Sequence, residues 1–215
     1  MMVIMFIIDK AIIEMNTTNM TKNTTATNDN VISTTNHKLH SIWSLFFVKM
    51  DKQKDWKDNM YKVYDIDSIE TFWCIMHHMK PVSNLPYGSD YYLFRENIQP
   101  MWEHPLNKNG GIWVISSHKS RRHTHLNEMW MEVLMFLVGE VMDKDSDEIC
   151  GVSINIRGNF DKISVWTRDC TNHEANKRIG LQLKSMLKLN QDIEYISHYN
   201  NQTKNHSNPK PTLVV

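Results

Sequence analysis

Hydrophobic residues recur at helical spacing in three segments of the chain, which predicts three amphipathic helices. The first is predicted to begin at Asp67, because Glu70 follows at the spacing of a capping box. The third is predicted to begin at Thr171, with Glu174 at the same spacing. Their apolar stripes are Ile69, Phe72, Trp73, Met76 and Met79 in the first helix, and Ala175, Ile179, Leu183, Met186 and Leu187 in the third. Each stripe is suited to cover one side of a sheet.

The second helix, predicted over about Leu126 to Val141, is apolar on two sides. One side carries Trp130, Val133, Leu134, Leu137 and Val141, and another carries Met131, Met135 and Val138. This is more apolar surface than one sheet can cover. The second stripe, beside Glu132, either completes the core or receives a partner helix, and the pattern alone favours neither interpretation.

Apolar and polar residues alternate from Val152 to Trp166, which predicts a β-hairpin with Gly158 and Asn159 in its turn. The predicted cross-strand pairs are Arg157 with Lys162, Asn155 with Ser164, and Ser153 with Trp166. One face would then pack against helices, and the other would present a tryptophan and two cations. Such cations can hold a phosphate chain, but in an isolated hairpin they would be two solvated side chains beside a turn.

The ends of the chain differ in composition from its middle. Residues 1–8 are all apolar, yet the run is far shorter than a membrane span and Asp9 interrupts it. Asn and Thr dominate residues 16–36, which offer almost nothing to bury. We therefore predict a disordered tail over 1–36 and one domain over 37–215, with a flexible loop at about 200–211 and no membrane association.

The composition of the 215 residues, 41% hydrophobic and 22% charged, is typical of a soluble globular domain. The 24 basic residues balance the 24 acidic ones, so a general positive field for nucleic acid is excluded and any nucleotide recognition must be local. Cys74, Cys150 and Cys170 lack the spacing of a zinc site, which favours reduced thiols and a cytosolic or nuclear protein. We expect neither a metal nor a cofactor.

Two tryptophans and one acid, Trp56 and the adjacent Trp102 and Glu103, are the strongest candidate site. Trp56 lies among charged residues with no apolar neighbour to pack against, which is typical of a functional loop. A guanine methylated at N7 carries delocalised positive charge, and stacking between two indoles stabilises it by about 1–3 kcal/mol per face. A carboxylate at the ring edge can accept both N1–H and N2–H of guanine. The three residues are therefore suited to bind 7-methylguanine.

From about His37 to the C-terminus, the chain resembles the family of translation initiation factor 4E, the mRNA cap-binding subunit of the 4F complex. The resemblance rests on several motifs: His37 to Leu39, Trp43, Asp51 to Trp56, Phe72-Trp73, Ser89 to Tyr91, Pro100 to Glu103, Gly110-Gly111, Cys150-Gly151, Asn155 to Arg157, and Lys162 to Trp166. It implies an α+β fold, with a curved antiparallel sheet, three long helices on its convex face, and a concave slot for the cap.

The resemblance also implies roles for individual residues of the slot. Trp56 and Trp102 would sandwich the 7-methylguanine, and Glu103 together with the Trp102 backbone N–H would read its edge. Trp166 would contact the N7-methyl group. The residues that would hold the phosphates are Arg157, Lys162 and Lys204. Ser207 lies three residues after Lys204, the spacing of the family's regulatory phosphoserine, and is a candidate for phosphorylation.

On the convex side the resemblance assigns the surplus stripe to a partner. We call the matching residues the dorsal patch: His37, Ile69, Trp73, Met131, Glu132, Met135 and Gly139. By resemblance the patch would receive the Tyr-x-x-x-x-Leu-Φ helix of the 4G scaffold or of 4E-binding repressor proteins. Tryptophan at both 43 and 56 resembles the translation-promoting class of the family, which favours an initiation factor.

Departures from the family pattern leave an alternative function open. Ile112 and Asn159 replace cations near the phosphates, while Lys38, Met131 and Met135 alter the dorsal patch. A cap-binding competitor that represses selected mRNAs through another partner is the alternative. An enzyme is not expected, because the densest acids, Asp143 to Glu148, follow a helix and are interpreted as a solvated loop. We expect a cytoplasmic protein and leave a nuclear share open.

Overall fold

The computed structural model describes residues 36–51, 53, 55–199 and 211–215, and only the backbone of Trp56. The predicted tail at 1–36, apart from Asn36, and nearly all of the predicted loop at 200–211 lie outside these residues. In the described part, eight strands form one antiparallel sheet in the order β2-β1-β3-β5-β6-β4-β7-β8. Their bounds are β1 Lys38–Lys49, β2 Met60–Ser68, β3 Ser89–Arg95, β4 Gly111–His118, β5 Ile149–Asn155, β6 Phe160–Thr167, β7 Glu194–Ser197 and β8 Leu213–Val214.

Three helices cover one face of this sheet: α1 Ile69–His78, α2 Leu126–Val138 and α3 His173–Met186. Buried residues of all three join inward-facing strand residues in a single core. Its largest fully buried side chains include Trp43, Trp113, Tyr91, Tyr195 and Leu134. The predicted α+β fold, a curved antiparallel sheet with helices on one side, is confirmed.

The first residue of two helices was predicted wrongly. Helix α1 is capped by Ser68, whose Oγ accepts the backbone N–H of Thr71 at 3.3 Å, whereas Asp67 pairs with the ammonium of Lys38. Helix α3 is capped by Asn172, whose Oδ1 accepts the N–H of Ala175 at 3.3 Å. Thr171 instead donates its hydroxyl hydrogen to Asp169 at 2.7 Å. In both cases the predicted cap is occupied with a different partner.

Helix α2 ends at Val138, three residues before the predicted end. Gly139 is its C-cap and donates its N–H to the carbonyl of Met135 at 2.9 Å. Glu140 follows with φ of 46°, a left-handed conformation that stops the helix. Val141 therefore lies beyond the helix, with 55% of its surface exposed.

The predicted hairpin exists, but its register differs from the prediction by two residues. Asn155, not Arg157, lies opposite Lys162, Ser153 lies opposite Ser164, and Gly151 lies opposite Trp166. The cause is a longer connection: Asp161 accepts the N–H of Arg157 at 3.0 Å and holds residues 156–159 out of the ladder. Because the side-chain period is two, this shift changes the partners but leaves each residue on its predicted face.

The acid-rich segment was also predicted wrongly, because it is not a solvated loop. Residues Asp143–Glu148 form a short 3-10 helix in which Asp145 is buried. Its carboxylate accepts two hydrogen bonds from Arg178, at 2.6 and 2.9 Å, and this contact lowers the pKa of Asp145. Within the described ranges no group of three or more His, Cys, Asp or Glu is arranged to hold a metal ion. No helix there has the length and apolarity needed to cross a membrane.

Candidate functional site

The concave face, opposite the helices, follows from the strand register. On β6 the side chains of Trp166, Ser164 and Lys162 point to this face, because their neighbours Val165 and Ile163 are buried in the helix-covered core. The same rows continue across β5, β3 and β1 as Gly151, Phe94 and Ser44, then Ser153, Tyr92 and Phe46, then Asn155, Asp90 and Val48. The face thus changes from aromatic at the Trp166 end to charged at the Lys162 end.

Trp102 and Glu103 lie side by side in the loop between β3 and β4, and both are exposed. The Trp102 indole is 44% exposed, although burial of so large an apolar side chain in the core would be favourable. Buried Asn107 braces the loop, because its Nδ2 donates to the carbonyls of Gln99 at 2.9 Å and Met101 at 2.8 Å. Asn107 therefore acts as a positioning residue for Trp102.

A second buried asparagine braces the loop that carries Trp56. Asn59 donates from Nδ2 to the carbonyls of Asp51 at 3.1 Å and Asp55 at 3.2 Å, and its Oδ1 accepts the N–H of Asp51 at 2.9 Å. The backbone of Trp56 begins the short 3-10 helix Trp56–Asn59. The side chain of Trp56 lies outside the described residues, so its predicted stacking role stays a prediction.

Trp166 is partly buried between two aromatic neighbours. Phe94 meets it edge to face with ring centroids 5.4 Å apart, and the ring of His198 lies 4.7 Å away at 42°. The indole Nε1 donates to Ser153 Oγ at 3.2 Å, which sets the ring plane. Burial lowers the pKa of His198 to about 4, so this ring is neutral at neutral pH and does not repel a cationic base beside Trp166.

Arg157 pairs with a buried carboxylate, whereas the predicted register had placed it opposite the cation Lys162. Its guanidinium donates two hydrogen bonds to Asp90, at 2.6 and 3.1 Å, and this contact raises the pKa of Arg157. The Arg157 side chain remains 38% exposed, so part of the fork is available to a second anion. Lys162 is exposed on the same face, and in the described ranges no acid pairs with it. The two predicted phosphate ligands share one end of the concave face.

A cavity of about 510 Å³ opens beside Trp102 and Glu103. Its other lining residues are Lys108, Asn109, Gly110, Cys170, Thr171 and Tyr199. Gly110 accepts the backbone N–H of His198 at 3.0 Å, which connects this cavity to the Trp166 end of the face. Ile112 lies opposite Trp166 on β4, at the aromatic end, and its apolar side chain adds no charge to the face.

The dorsal patch lies on the helix side of the sheet. Ile69 and Trp73 of α1 are 46% and 40% exposed, and Met135 of α2 is 42% exposed. Glu132 is exposed, and Met131 is partly buried against the core.

The chain reaches the patch at His37, which is tied to the first turn of α1. Its carbonyl accepts the N–H of Ile69 at 2.9 Å, and its ring Nδ1 lies 2.6 Å from Glu70 Oε1. Gly139 ends α2 at the other side of the patch, and a Cβ added there would meet the Met135 carbonyl at 2.9 Å. Of the surplus apolar stripe, Met135 is therefore surface, whereas Met131 is partly buried and Val138 belongs to the core.

Sequence reasoning did not identify several residues of the site, and the structure does not describe two of the predicted ones. Lys204 and Ser207 lie outside the described residues. Asp90, Asn59, Asn107 and His198 were missed, because single polar residues that become buried show no periodic pattern. The one usable signal was the position of Asp90 within the motif Ser89 to Tyr91, on a strand that is otherwise apolar.

Comparisons with known proteins agree with this geometry. The family model described as eukaryotic initiation factor 4E matches residues 38–212. The chain is 46% identical over 153 residues to eukaryotic translation initiation factor 4E of Aplysia californica, covering 71% of each protein. It is similar to the crystal structure of Ascaris suum eIF4E-3 with m2,2,7G cap, with a TM-score of 0.79, 39% identity, and coverage of 84% of this chain and 98% of that chain.

A second solved structure, the complex of C. elegans eIF4E-3 with the 4E-binding protein Mextli and cap analog, matches with a TM-score of 0.78 and 37% identity. The match covers 84% of this chain and 100% of that chain. Three findings point to the same family: a family model that spans most of the domain, a relative at 46% identity, and two solved cap complexes with the same fold. The chain belongs to the eukaryotic initiation factor 4E family.

Proposed function

We propose that this protein binds the 7-methylguanosine cap of mRNA on its concave face and recruits a 4G-type scaffold through its dorsal patch, thereby promoting cap-dependent translation initiation. The role is binding without a chemical step, and we place it in the cytoplasm. Relatives with the same fold are described in complex with cap analogues and with a 4E-binding protein.

The observation that carries the proposal is the exposed Trp102 beside Glu103 on a loop braced by Asn107. Among the described residues, no group accepts a hydrogen bond from the backbone N–H of Trp102 or Glu103. An indole face, a carboxylate and free N–H groups are what the Watson–Crick edge and the ring of a methylated guanine require. Arg157 and Lys162 then offer positive charge to the phosphates.

The dorsal patch supports the second half of the proposal. Ile69, Trp73 and Met135 form exposed apolar surface on two helices of the face opposite the concave site. An amphipathic partner helix buries this kind of surface, with apolar anchors spaced along its one face. Exposed Glu132 would offer a charged partner at the rim. Cap and partner can thus be bound at the same time.

The decisive experiment is titration of intrinsic tryptophan fluorescence with 7-methyl-GTP and with GTP. We expect the methylated nucleotide to bind and GTP to bind far more weakly. Trp102→Ala removes one stacking face, so 7-methyl-GTP affinity should fall by roughly 5- to 150-fold, since a stacked face contributes about 1–3 kcal/mol.

Trp73→Ala is a matched control, because Trp73 is 40% exposed and lies on the opposite face. It should keep 7-methyl-GTP affinity and lose binding to a Tyr-x-x-x-x-Leu-Φ peptide. Far-UV circular dichroism checks that both variants fold. If both substitutions weakened 7-methyl-GTP binding equally in folded protein, the assignment of cap and partner to opposite faces would be wrong.

A further inference from the structure

The concave face of β6 extends beyond the predicted phosphate ligands. Trp166, Ser164, Lys162 and Phe160 follow one another at intervals of two residues, so all four side chains project from the same face. At about 3.4 Å per residue, Phe160 lies about 7 Å beyond Lys162 along the strand and about 20 Å beyond Trp166. Phe160 therefore stands past the phosphate end of the proposed cap site, in line with it.

Phe160 is an exposed aromatic residue without a packing role. It is 49% exposed and belongs to neither of the two hydrophobic clusters that the described residues form. Among the described residues its one ring neighbour is His118, which lies directly opposite on β4 with ring centroids 5.2 Å apart and an interplanar angle of 78°. This edge-to-face contact orients the phenyl ring and leaves its surface accessible.

Positive side chains flank this ring. Lys162 precedes it on the same face, and Arg121 lines a cavity of about 930 Å³ that Phe160 and His118 also border. Both cations are exposed, and the described residues provide no acid that pairs with either. Lys119 begins the short turn that carries Arg121, and its N–H donates to the Asn159 carbonyl at 2.9 Å, which holds the turn beside the β5–β6 connection.

The acids near this surface are neutralised or lie on another wall. Asp161 is fully buried and accepts two hydrogen bonds from Arg122, both at 2.7 Å. Glu128 and Glu132 project from α2 and line the helix wall of the same cavity. A polyanion crossing Phe160 would therefore follow the Lys162 and Arg121 side and avoid the helix wall.

We propose that Phe160, oriented by His118, is a stacking platform for the first transcribed nucleotide of a capped RNA, and that Lys162 and Arg121 contact the phosphates before and after that base. This inference rests on the proposed cap-binding function. An exposed aromatic ring between cations is the arrangement by which proteins bind single-stranded RNA. The spacing of about 7 Å between Lys162 and Phe160 suits the reach of one nucleotide from its phosphate to its base.

The test compares three ligands: 7-methyl-GTP, a capped trinucleotide RNA with a purine in first position, and the same capped RNA with an abasic first position. The unchanged protein should bind the purine RNA about tenfold more tightly than the abasic RNA, at the lower end of the stacking range because the platform is exposed. Phe160→Ala should abolish this preference and keep the affinity for 7-methyl-GTP. Phe160→Trp should retain the preference.

Two matched controls separate this platform from general surface effects. Leu181→Ala removes an exposed apolar side chain of 49% exposure from α3 and should leave all three affinities unchanged. Arg121→Gln should lower the slope of log K against log salt for capped RNA by about 0.7, the value for one cation on a single strand. Lys177→Gln, an exposed cation of α3, should leave that slope unchanged.

The outcomes separate this inference from the proposed function. If the unchanged protein failed to bind 7-methyl-GTP, the proposed function and the platform would both be rejected. Tight 7-methyl-GTP binding with equal affinity for purine and abasic RNA would reject the platform alone. The platform would also be rejected if Phe160→Ala weakened all three ligands equally, since that pattern indicates damage to the cap site, or if it changed none of them.

Discussion

His198 is a buried histidine in aromatic surroundings. It is 3% exposed, its ring lies against Trp166, and its Nε2 has no hydrogen-bond partner among the described residues. A charged imidazolium would be poorly solvated there, which is why burial lowers the pKa of His198 from 6.5 to about 4. The neutral ring keeps the base end of the site free of positive charge, as a cationic 7-methylguanine requires.

This pKa predicts a pH dependence of stability. Between pH 6.5 and about 4 the unfolded chain binds a proton at His198 that the native protein does not, so the free energy of unfolding falls as the pH falls. Above pH 6.5 the neutral His198 ring does not lower the free energy of unfolding. Near pH 4 the free energy of unfolding is lower by about 3 kcal/mol because of this histidine. Urea unfolding at several pH values should show a shallower decline for His198→Gln than for the unchanged protein. His123→Gln, at an exposed histidine, serves as control, and parallel curves for all three proteins would contradict the prediction.

At the residue scale, the sequence predicted the groups that would touch a ligand but not those that hold them. Trp102 and Glu103 are recognisable because their chemistry is rare in an exposed loop. Asn107 and Asn59 lie in polar stretches where an asparagine is expected, and only the fold shows that their amides bridge backbone carbonyls. Their role depends on contacts between residues four to eight positions apart in irregular loops, for which hydrophobic periodicity carries no information.

Helix α1 carries Ile69 and Trp73, so its N-terminus matters for the dorsal patch. Ser68 is fully buried, accepts the Thr71 N–H and lies 2.8 Å from the Thr71 hydroxyl. Asp67, the cap predicted from sequence, instead forms an exposed pair with Lys38, whose side chain is 63% exposed. The two residues therefore contribute to stability by different mechanisms.

Their substitution by alanine discriminates between the observed and the predicted cap. Ser68→Ala should lower the free energy of unfolding by about 1 kcal/mol, as expected for loss of an N-cap. Asp67→Ala should cost less, roughly 0–1 kcal/mol, because exposed ion pairs contribute little. Urea denaturation of both variants measures the difference, and a larger loss for Asp67→Ala would show that the capping box predicted from the sequence is the stabilising one.

At the element scale, face assignments were easier to predict than partners. The alternation along β5 and β6 placed Ile154 and Ile163 in the core and Lys162 on the opposite face, and the structure agrees. The cross-strand pairs were wrong because six residues, 156–161, lie between the paired Asn155 and Lys162, whereas the predicted pair of Arg157 and Lys162 would leave four. That length depends on Asp161, which binds the Arg157 N–H and the Arg122 guanidinium from a distant segment. Hairpin rules consider only local sequence and cannot include such a contact.

At the scale of the whole molecule, one sheet separates two proposed binding faces, and Arg95 of β3 ties the layers together. Its guanidinium lies 5.0 Å from the Trp43 ring and donates to Glu140 Oε1 at 2.9 Å, the Ile149 carbonyl at 2.9 Å and the Ser146 carbonyl at 2.8 Å. Glu140 follows the C-cap of α2, so this contact anchors one side of the dorsal patch to the strand that carries Asp90 and Phe94.

Removing this anchor should destabilise the whole domain. Arg95→Met keeps the apolar stem but leaves Glu140, which is 12% exposed, without its guanidinium, and the loss of one partner of a buried ion pair costs about 3–5 kcal/mol. Lys62→Met breaks the exposed pair with Asp65, in which both side chains are more than 40% exposed, and should cost about 0–1 kcal/mol. Urea denaturation with an unchanged m-value measures both losses. Because Arg95 contacts both layers, its loss should also weaken peptide binding at the dorsal patch. Equal free energies of unfolding for the two variants would contradict the prediction and would show that the layers are held together by hydrophobic packing alone.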